Sequence, residues 1–94
     1  MNGAEAVTAT ATIVNNKGLH ARASAKFVET AARFQSEVTV SKGDTSVSGR
    51  SIMGLMMLGA SKGSAIALEA SGPDARDAVN ALLALVAAKF HEDA

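Results

Sequence analysis

The sequence predicts an α+β fold, an open-faced β-sandwich in which three helices cover one face of a four-stranded antiparallel sheet. Segments in which apolar and polar residues alternate are separated by segments in which apolar residues recur every three or four positions. Short stretches of Gly, Asn and Asp join these segments, and the resulting order is βαββαβα. We expect one domain over residues 7–91, because 94 residues are too few for two cores, after a flexible tail over residues 1–6.

The first half of the chain supplies three strands and one helix. Between residues 7 and 14, Val, Ala and Ile alternate with Thr, which predicts a half-buried strand. A helix is expected over about residues 21–34, where Phe, Val and Ala recur on one stripe. Residues 37–41 and 45–48 then form two strands joined by the hairpin turn Lys42-Gly43-Asp44.

The second half supplies two helices and the last strand. A short helix is predicted over residues 51–58, and Gly59 ends it. Alternation predicts a strand over residues 65–70. The turn Gly72-Pro73-Asp74 opens the last helix, with its proline in the first helical turn and an apolar stripe that continues to Phe90.

Composition excludes several classes of function. Lys plus Arg equals Asp plus Glu at 9 each and aromatic residues are 3%, so binding to nucleic acid or to an acidic membrane has no electrostatic basis. The chain has no cysteine, which excludes disulfides and thiolate zinc sites. It also has no apolar run long enough to span a bilayer and no secretory signal at its N-terminus. We therefore expect a cytoplasmic protein that needs no metal or cofactor.

The segment Gly18-Leu19-His20-Ala21-Arg22 is the most informative in the chain. It places a nucleophilic imidazole at a helix N-terminus, where unpaired backbone N–H groups and the helix dipole attract anions. The common alternative is a histidine that merely caps the helix. No Ser–His–Asp set and no neighbouring acid or base is evident, so the residues favour a group carrier over an enzyme. Arg22 is either a solvated surface side chain or a bidentate contact for phosphate oxygens.

Ser51 is the second candidate functional residue. It precedes a short helix and is expected to be its N-cap. A serine in that position can also receive a phosphate without disrupting the fold, because the helix N-terminus favours the added charge. His91, near the C-terminal end of the last helix, is given a structural role at most.

The short helix after Ser51 is unusually rich in flexible apolar side chains. Such a stripe usually belongs to the core, but Leu55 and Leu58 could fill the buried face of so short a helix. Ile52, Met53 and Met56 would then be left for the surface, where methionine suits docking to several partners.

Together the motifs Gly18–Arg22 and Ser51–Met56 resemble the HPr family, the histidine-containing phosphocarriers of the bacterial phosphoenolpyruvate-dependent phosphotransferase system. The resemblance covers about residues 8–90. It implies a monomeric carrier rather than an enzyme, in which enzyme I phosphorylates His20 at Nδ1 and His20 passes the phosphoryl group to an enzyme IIA domain. It also implies that Arg22 contacts the phosphate or the partner, that HPr kinase/phosphorylase acts on Ser51, and that Ile52, Met53 and Met56 dock partners.

One position departs from the family pattern. The family usually has proline directly after the arginine, whereas this chain has Ala23. Without the proline the unfolded chain has more conformational freedom, which lowers the free energy of unfolding by about 0.4–1 kcal/mol. The nucleophile is unaffected. Alpha-proteobacterial members are similar in lacking this proline. The chain is therefore either a carrier for sugar transport or a regulatory module that docks other proteins according to its phosphorylation state, as in the nitrogen-related phosphotransferase branch.

Overall fold

A computed structural model describes residues 6–93 and confirms the predicted order and fold class. The strands are β1 (Ala6–Thr12), β2 (Glu37–Lys42), β3 (Thr45–Ser48) and β4 (Ala65–Ser71), and the helices are α1 (Ala21–Ala31), α2 (Ile52–Met57) and α3 (Ala75–Ala87). The tail predicted over residues 1–6 lies outside the described residues, except for Ala6, which is the first residue of β1.

The sheet has the order β1-β4-β2-β3, and every neighbouring pair is antiparallel. Along the central strand β4, Ile66, Leu68 and Ala70 are buried while the residues between them are exposed. This alternation places one face of the sheet against the helices and leaves the other face open. The open-faced β-sandwich expected from the sequence is therefore the observed architecture.

The core lies between the sheet and the helices. Its largest fully buried side chains come from every layer: Phe27, Phe90, Ile13, Leu55, Ile66, Leu68, Leu82, Val40, Val79 and Val86. Alanines on α1 and α3, including Ala23 and Ala78, are buried beside them. Small side chains at these positions allow the helices to approach the sheet closely.

Two elements of the first half of the chain end earlier than predicted. Strand β1 stops at Thr12, although Ile13 still donates its N–H to the Ser64 carbonyl at 2.9 Å. Helix α1 stops at Ala31 instead of residue 34, because from Arg33 onward the N–H groups bond three residues back rather than four, as in Phe34 to Ala31 at 3.2 Å. Phe34 therefore packs on the core edge from a bend, not from the helix.

The start of α3 also differs from the prediction. Pro73 lies outside the helix, since Asp74 is the N-cap residue and Ala75 the first helical one. The Asp74 carboxylate does not cap its own helix. It accepts N–H groups of Gln35 and Ser36, each at 3.0 Å, and so ties the α3 start to the chain entering β2.

The end of α3 is the largest departure from the sequence-based expectation. The helix ends at Ala87, and Lys89–His91 form one left-handed turn with φ values of 58°, 55° and 62°. Phe90 is fully buried as expected, but from this turn and not from the α3 stripe. His91, expected at the helix end, is exposed in the same turn.

No helix among residues 6–93 is long and apolar enough to cross a membrane.

Candidate functional site

His20 is the N-cap residue of α1, with extended backbone angles of φ −77° and ψ −177°. Its Nδ1 atom accepts the backbone N–H of Arg22 at 3.3 Å, and its side chain is 24% exposed. The two interpretations of His20 are therefore compatible: the side chain caps α1, and it remains accessible at the N-terminus of that helix.

The loop before His20 is held by a close approach to a second loop. Gly18 has φ +65°, and a Cβ built there would lie 2.4 Å from the Ala60 carbonyl oxygen. The next residue, Leu19, donates its N–H to the same oxygen at 2.9 Å and is itself buried. Glycine is therefore required two residues before the histidine, for both its conformation and its size.

The expectation that His20 has no neighbouring acid is wrong. The Glu92 carboxylate bonds the Nε2 atom of His20 through Oε2, and its Oε1 accepts the side-chain N–H of Asn15 at 3.0 Å. Asn15 is fully buried and also donates to the Gly18 carbonyl at 2.9 Å. Glu92 is 72 residues from His20, and no local pattern links the two positions.

The electrostatic balance at Glu92 favours the carboxylate. Burial raises its pKa, but hydrogen bonds from His20 and Asn15 and the charges of His20 and Arg22 outweigh that effect and hold the pKa below its usual value. An ionised carboxylate only accepts hydrogen bonds, so the proton of the contact lies on His20 Nε2. The Nδ1 atom then carries the free lone pair, in agreement with its role as acceptor for the Arg22 N–H.

Arg22 and Glu92 line a cleft of about 360 Å³, which we call the Arg22–Glu92 cleft. Its other lining residues are Asn16, Lys17, Lys26, His91 and Asp93. Arg22 is exposed, as one of its two sequence interpretations requires, and the cleft walls carry more basic than acidic side chains. Such a surface suits an anion that approaches the helix N-terminus. Within residues 6–93, no three His, Asp or Glu side chains are grouped so as to hold a metal ion.

Ser51 is the N-cap of α2, as predicted. Its Oγ accepts the N–H of Gly54 at 2.9 Å, and the residue is half-buried. A Cβ on Gly54 would approach the Ser51 Oγ to 3.0 Å, so glycine there leaves the hydroxyl uncrowded. Ser51 is not one of the residues that line the Arg22–Glu92 cleft, although α1 and α2 pack against each other.

The predicted division of the α2 side chains is confirmed. Leu55 and Leu58 are buried. The side chains predicted for the surface, Ile52, Met53 and Met56, are 40%, 73% and 44% exposed; we call these three residues the α2 patch. Met57, which the sequence interpretation left unassigned, is 77% exposed and extends the apolar surface.

Residues 7–88 match the family described as "PTS HPr component phosphorylation site". The phosphocarrier protein HPr of Neisseria meningitidis is 55% identical to this chain over 80 residues, which are 85% of this chain and 90% of that protein. The phosphocarrier protein NPr of Shewanella violacea is 44% identical over 81 residues, 86% of this chain and 89% of that protein.

Similarity extends to solved structures. The crystal structure of HPr from Thermoanaerobacter tengcongensis superposes with a TM-score of 0.89 and 43% sequence identity. The superposition covers 94% of this chain and 99% of that one.

Proposed function

Because this chain belongs to the HPr family of phosphocarrier proteins, we propose that it carries a phosphoryl group on Nδ1 of His20. Enzyme I would supply the group and an enzyme IIA domain would receive it. The observation that carries the proposal is the different environment of the two ring nitrogens. Nε2 is engaged by the Glu92 carboxylate, whereas Nδ1 meets only a backbone N–H at 3.3 Å.

The hydrogen-bond pattern supports Nδ1 as the nucleophile. In a neutral imidazole one nitrogen is protonated and the other has the lone pair, and the partners of the ring decide which is which. Since a carboxylate cannot donate, Nε2 holds the proton and Nδ1 the lone pair. An incoming phosphoryl group would displace the long contact from Arg22 N–H and lie at the N-terminus of α1, where the helix dipole favours its charge.

Arg22 is proposed to contact the phosphoryl oxygens or an acidic partner surface. Its guanidinium is exposed in the Arg22–Glu92 cleft, and a guanidinium binds phosphate oxygens in bidentate fashion. Lys17 and Lys26 line the same cleft and add positive charge to it.

The α2 patch is proposed as the docking surface for enzyme I and enzyme IIA. Its three apolar side chains lie on a helix that packs against α1, the helix that begins at His20. We expect Met53→Lys to slow phosphoryl transfer by weakening the complex. Thr10→Lys, on the exposed face of β1, is the matched control and should leave the rate unchanged.

Ser51 is proposed as a regulatory site for HPr kinase/phosphorylase. A phosphate on its half-buried hydroxyl would add negative charge directly beside the α2 patch. Acidic partner surfaces would then be repelled, so Ser51→Asp is expected to lower the rate at which enzyme I phosphorylates His20.

Labelling with phosphoenolpyruvate and enzyme I tests the carrier function. The chain has two histidines, so His91→Ala is a control that removes the other imidazole. We expect acid-labile phosphate on the wild type and on His91→Ala, and none on His20→Ala. Full labelling of a folded His20→Ala would refute the proposal, and so would the absence of label on a folded wild type.

A regulatory role in the nitrogen-related branch is the second candidate, and the similarity to an NPr favours it. In that case the nitrogen-branch form of enzyme I would phosphorylate the chain faster than the sugar-branch form. Ser51→Asp would also change affinity for protein partners more than it changes transfer. For both forms of the function we propose a cytoplasmic monomer, and elution volume and scattering mass would check the monomeric state.

A further inference from the structure

The contact at Nε2 of His20 has a consequence for the transfer step, and the inference drawn from it rests on the proposed function. We infer that Glu92 is a positioning residue, which fixes the His20 tautomer and keeps the Nε2 proton in place while Nδ1 gains and loses the phosphoryl group. Its two carboxylate oxygens are divided between His20 Nε2 and Asn15 Nδ2.

The segment after α3 positions the Glu92 carboxylate. After α3, the left-handed turn Lys89–His91 reverses the chain and buries Phe90 completely. Lys26 of α1 then donates its ammonium group to the Phe90 carbonyl at 2.7 Å. The residue two positions later is Glu92, so the turn is anchored to the same helix that His20 caps.

Asn15 supports Glu92 from the other side. It is fully buried, and one amide group serves both the Gly18 carbonyl at 2.9 Å and the Glu92 carboxylate at 3.0 Å. The carboxylate is therefore oriented by the same loop that holds His20. The Glu92 side chain is 11% exposed, which keeps water from competing for the contact.

Glu92 is also surrounded by a defined set of charges. Arg22 and Lys26 of α1, Lys17 of the preceding loop, and His91 and Asp93 of its own segment line the same cleft. The Arg22 guanidinium favours the ionised carboxylate. An ionised Glu92 accepts the Nε2–H and so leaves the lone pair on Nδ1.

The transfer step balances without moving a proton. The Nδ1 lone pair forms the N–P bond while the bond between phosphorus and the histidine nitrogen of phosphorylated enzyme I breaks, and that nitrogen keeps the bonding pair. The His20 ring becomes a phosphoimidazolium that still carries its Nε2 proton. Its positive charge lies against the Glu92 carboxylate. On transfer to a histidine of enzyme IIA, the N–P bond breaks, the pair returns to Nδ1, and the ring is neutral with Nε2–H again.

Nuclear magnetic resonance of the His20 ring nitrogens tests the tautomer directly in the unphosphorylated protein. The wild type and the control Glu69→Gln, on the open face of β4, should show His20 with the proton on Nε2. Glu92→Gln keeps the size of the side chain but can donate to Nε2 as well as accept from it, so the fraction of the Nδ1–H tautomer should rise above that of the wild type, against the Arg22 N–H that still favours Nε2–H. A fraction of the Nδ1–H tautomer equal to that of the wild type would overturn the inference.

Transfer kinetics provide the second readout. Loss of an imidazole's hydrogen-bond partner costs about 10–100-fold at metal sites, and we expect a loss of about tenfold or more in the rate of transfer from phosphorylated enzyme I for Glu92→Gln. Glu92→Asp should recover part of that rate, whereas Glu69→Gln, on the open face of β4, should retain the wild-type rate. Equal rates for wild type and Glu92→Gln would also overturn the inference.

The two proposals fail separately. Labelling of His20 together with an unchanged Glu92→Gln would leave the carrier function intact and remove the role of Glu92. A wild type that is not labelled would remove the carrier function, and the tautomer measurement would still decide whether Glu92 positions the ring.

Discussion

Glu92 binds Nε2 of His20 across 72 positions of the chain, so the loop after β1 and the segment after α3 form one site. The imidazole is positioned on one side by the N-terminus of α1 and on the other by a carboxylate. The site is therefore complete only when both ends of the domain are folded, and it includes residues outside the local motif.

Gly18 is predicted to be harder to replace than Gly43, the glycine of the turn between β2 and β3. Alanine in the left-handed conformation costs roughly 1–2 kcal/mol, and the reduced freedom of its unfolded chain takes back about 0.4–1 kcal/mol. We therefore expect Gly43→Ala, with φ +60° and open space around it, to lose about 0.5–1 kcal/mol of free energy of unfolding. Gly18→Ala should cost clearly more, since its Cβ would lie 2.4 Å from the Ala60 carbonyl oxygen. Urea denaturation measures both, and equal losses would contradict the structure.

Asp74 is expected to make the free energy of unfolding depend on pH. The hydrogen bond from the Ser36 hydroxyl, followed by that from the Gln35 N–H, holds the Asp74 pKa below its ordinary value of 3.8. A lowered folded-state pKa stabilises the fold fully above the unfolded value, and this contribution is lost as the pH falls through the folded-state pKa. Between pH 7 and pH 3, Asp74→Asn should therefore lose less free energy of unfolding than the wild type.

The control for this measurement is Asp44→Asn in the exposed hairpin turn. It should lose as much stability on acidification as the wild type. An Asp74→Asn variant with the wild-type acid dependence would show that the contacts with Ser36 and Gln35 do not stabilise the carboxylate.

His91 lies in the left-handed turn with φ 62° and is exposed. Glycine removes roughly 1–2 kcal/mol of strain there, and the greater freedom of the unfolded chain takes back about 0.4–1 kcal/mol. We expect His91→Gly to raise the free energy of unfolding by about 0.5–1 kcal/mol. His91→Ala keeps the strain and should give no such gain in thermal or urea denaturation, and an equal gain would disprove the explanation.

Ser51 has a structural role that any regulatory role must accommodate. Its hydroxyl caps α2 through Gly54 N–H at 2.9 Å, so Ser51→Ala should lower the free energy of unfolding by about 0.5–2 kcal/mol. Ser51→Asp supplies another cap acceptor and should cost less. If both variants proved equally unstable, the cap would not explain the residue, and Ser51→Asp could not serve as a mimic of the phosphorylated protein.

The sequence predicted the fold class because its local patterns agree with the tertiary structure. Alternation identified β1 and β4, helical spacing identified α1 and α3, and the N-cap roles of His20 and Ser51 followed from residues directly beside them. The exposure of Ile52, Met53 and Met56 was predictable because a helix of one and a half turns has one narrow buried face.

The features that were missed depend on contacts distant in sequence. Pro73 was predicted to lie inside α3 because the neighbouring residues give no sign that Asp74 accepts hydrogen bonds from Gln35 and Ser36. Glu92 was missed because the left-handed turn before it contains no glycine, so nothing in the sequence indicates that the chain reverses there. The one signal in the sequence is the large apolar side chain of Phe90, three residues beyond the end of α3. Its burial in the structure shows that the segment after α3 packs on the core.

Phosphorus–nitrogen coupling in the phosphorylated protein, labelled with ¹⁵N in histidine, tests the account most directly. The arrangement of His20 predicts that phosphorus couples to Nδ1 and that Nε2 retains its proton. Coupling to Nε2 of His20, or to either ring nitrogen of His91, would contradict the account.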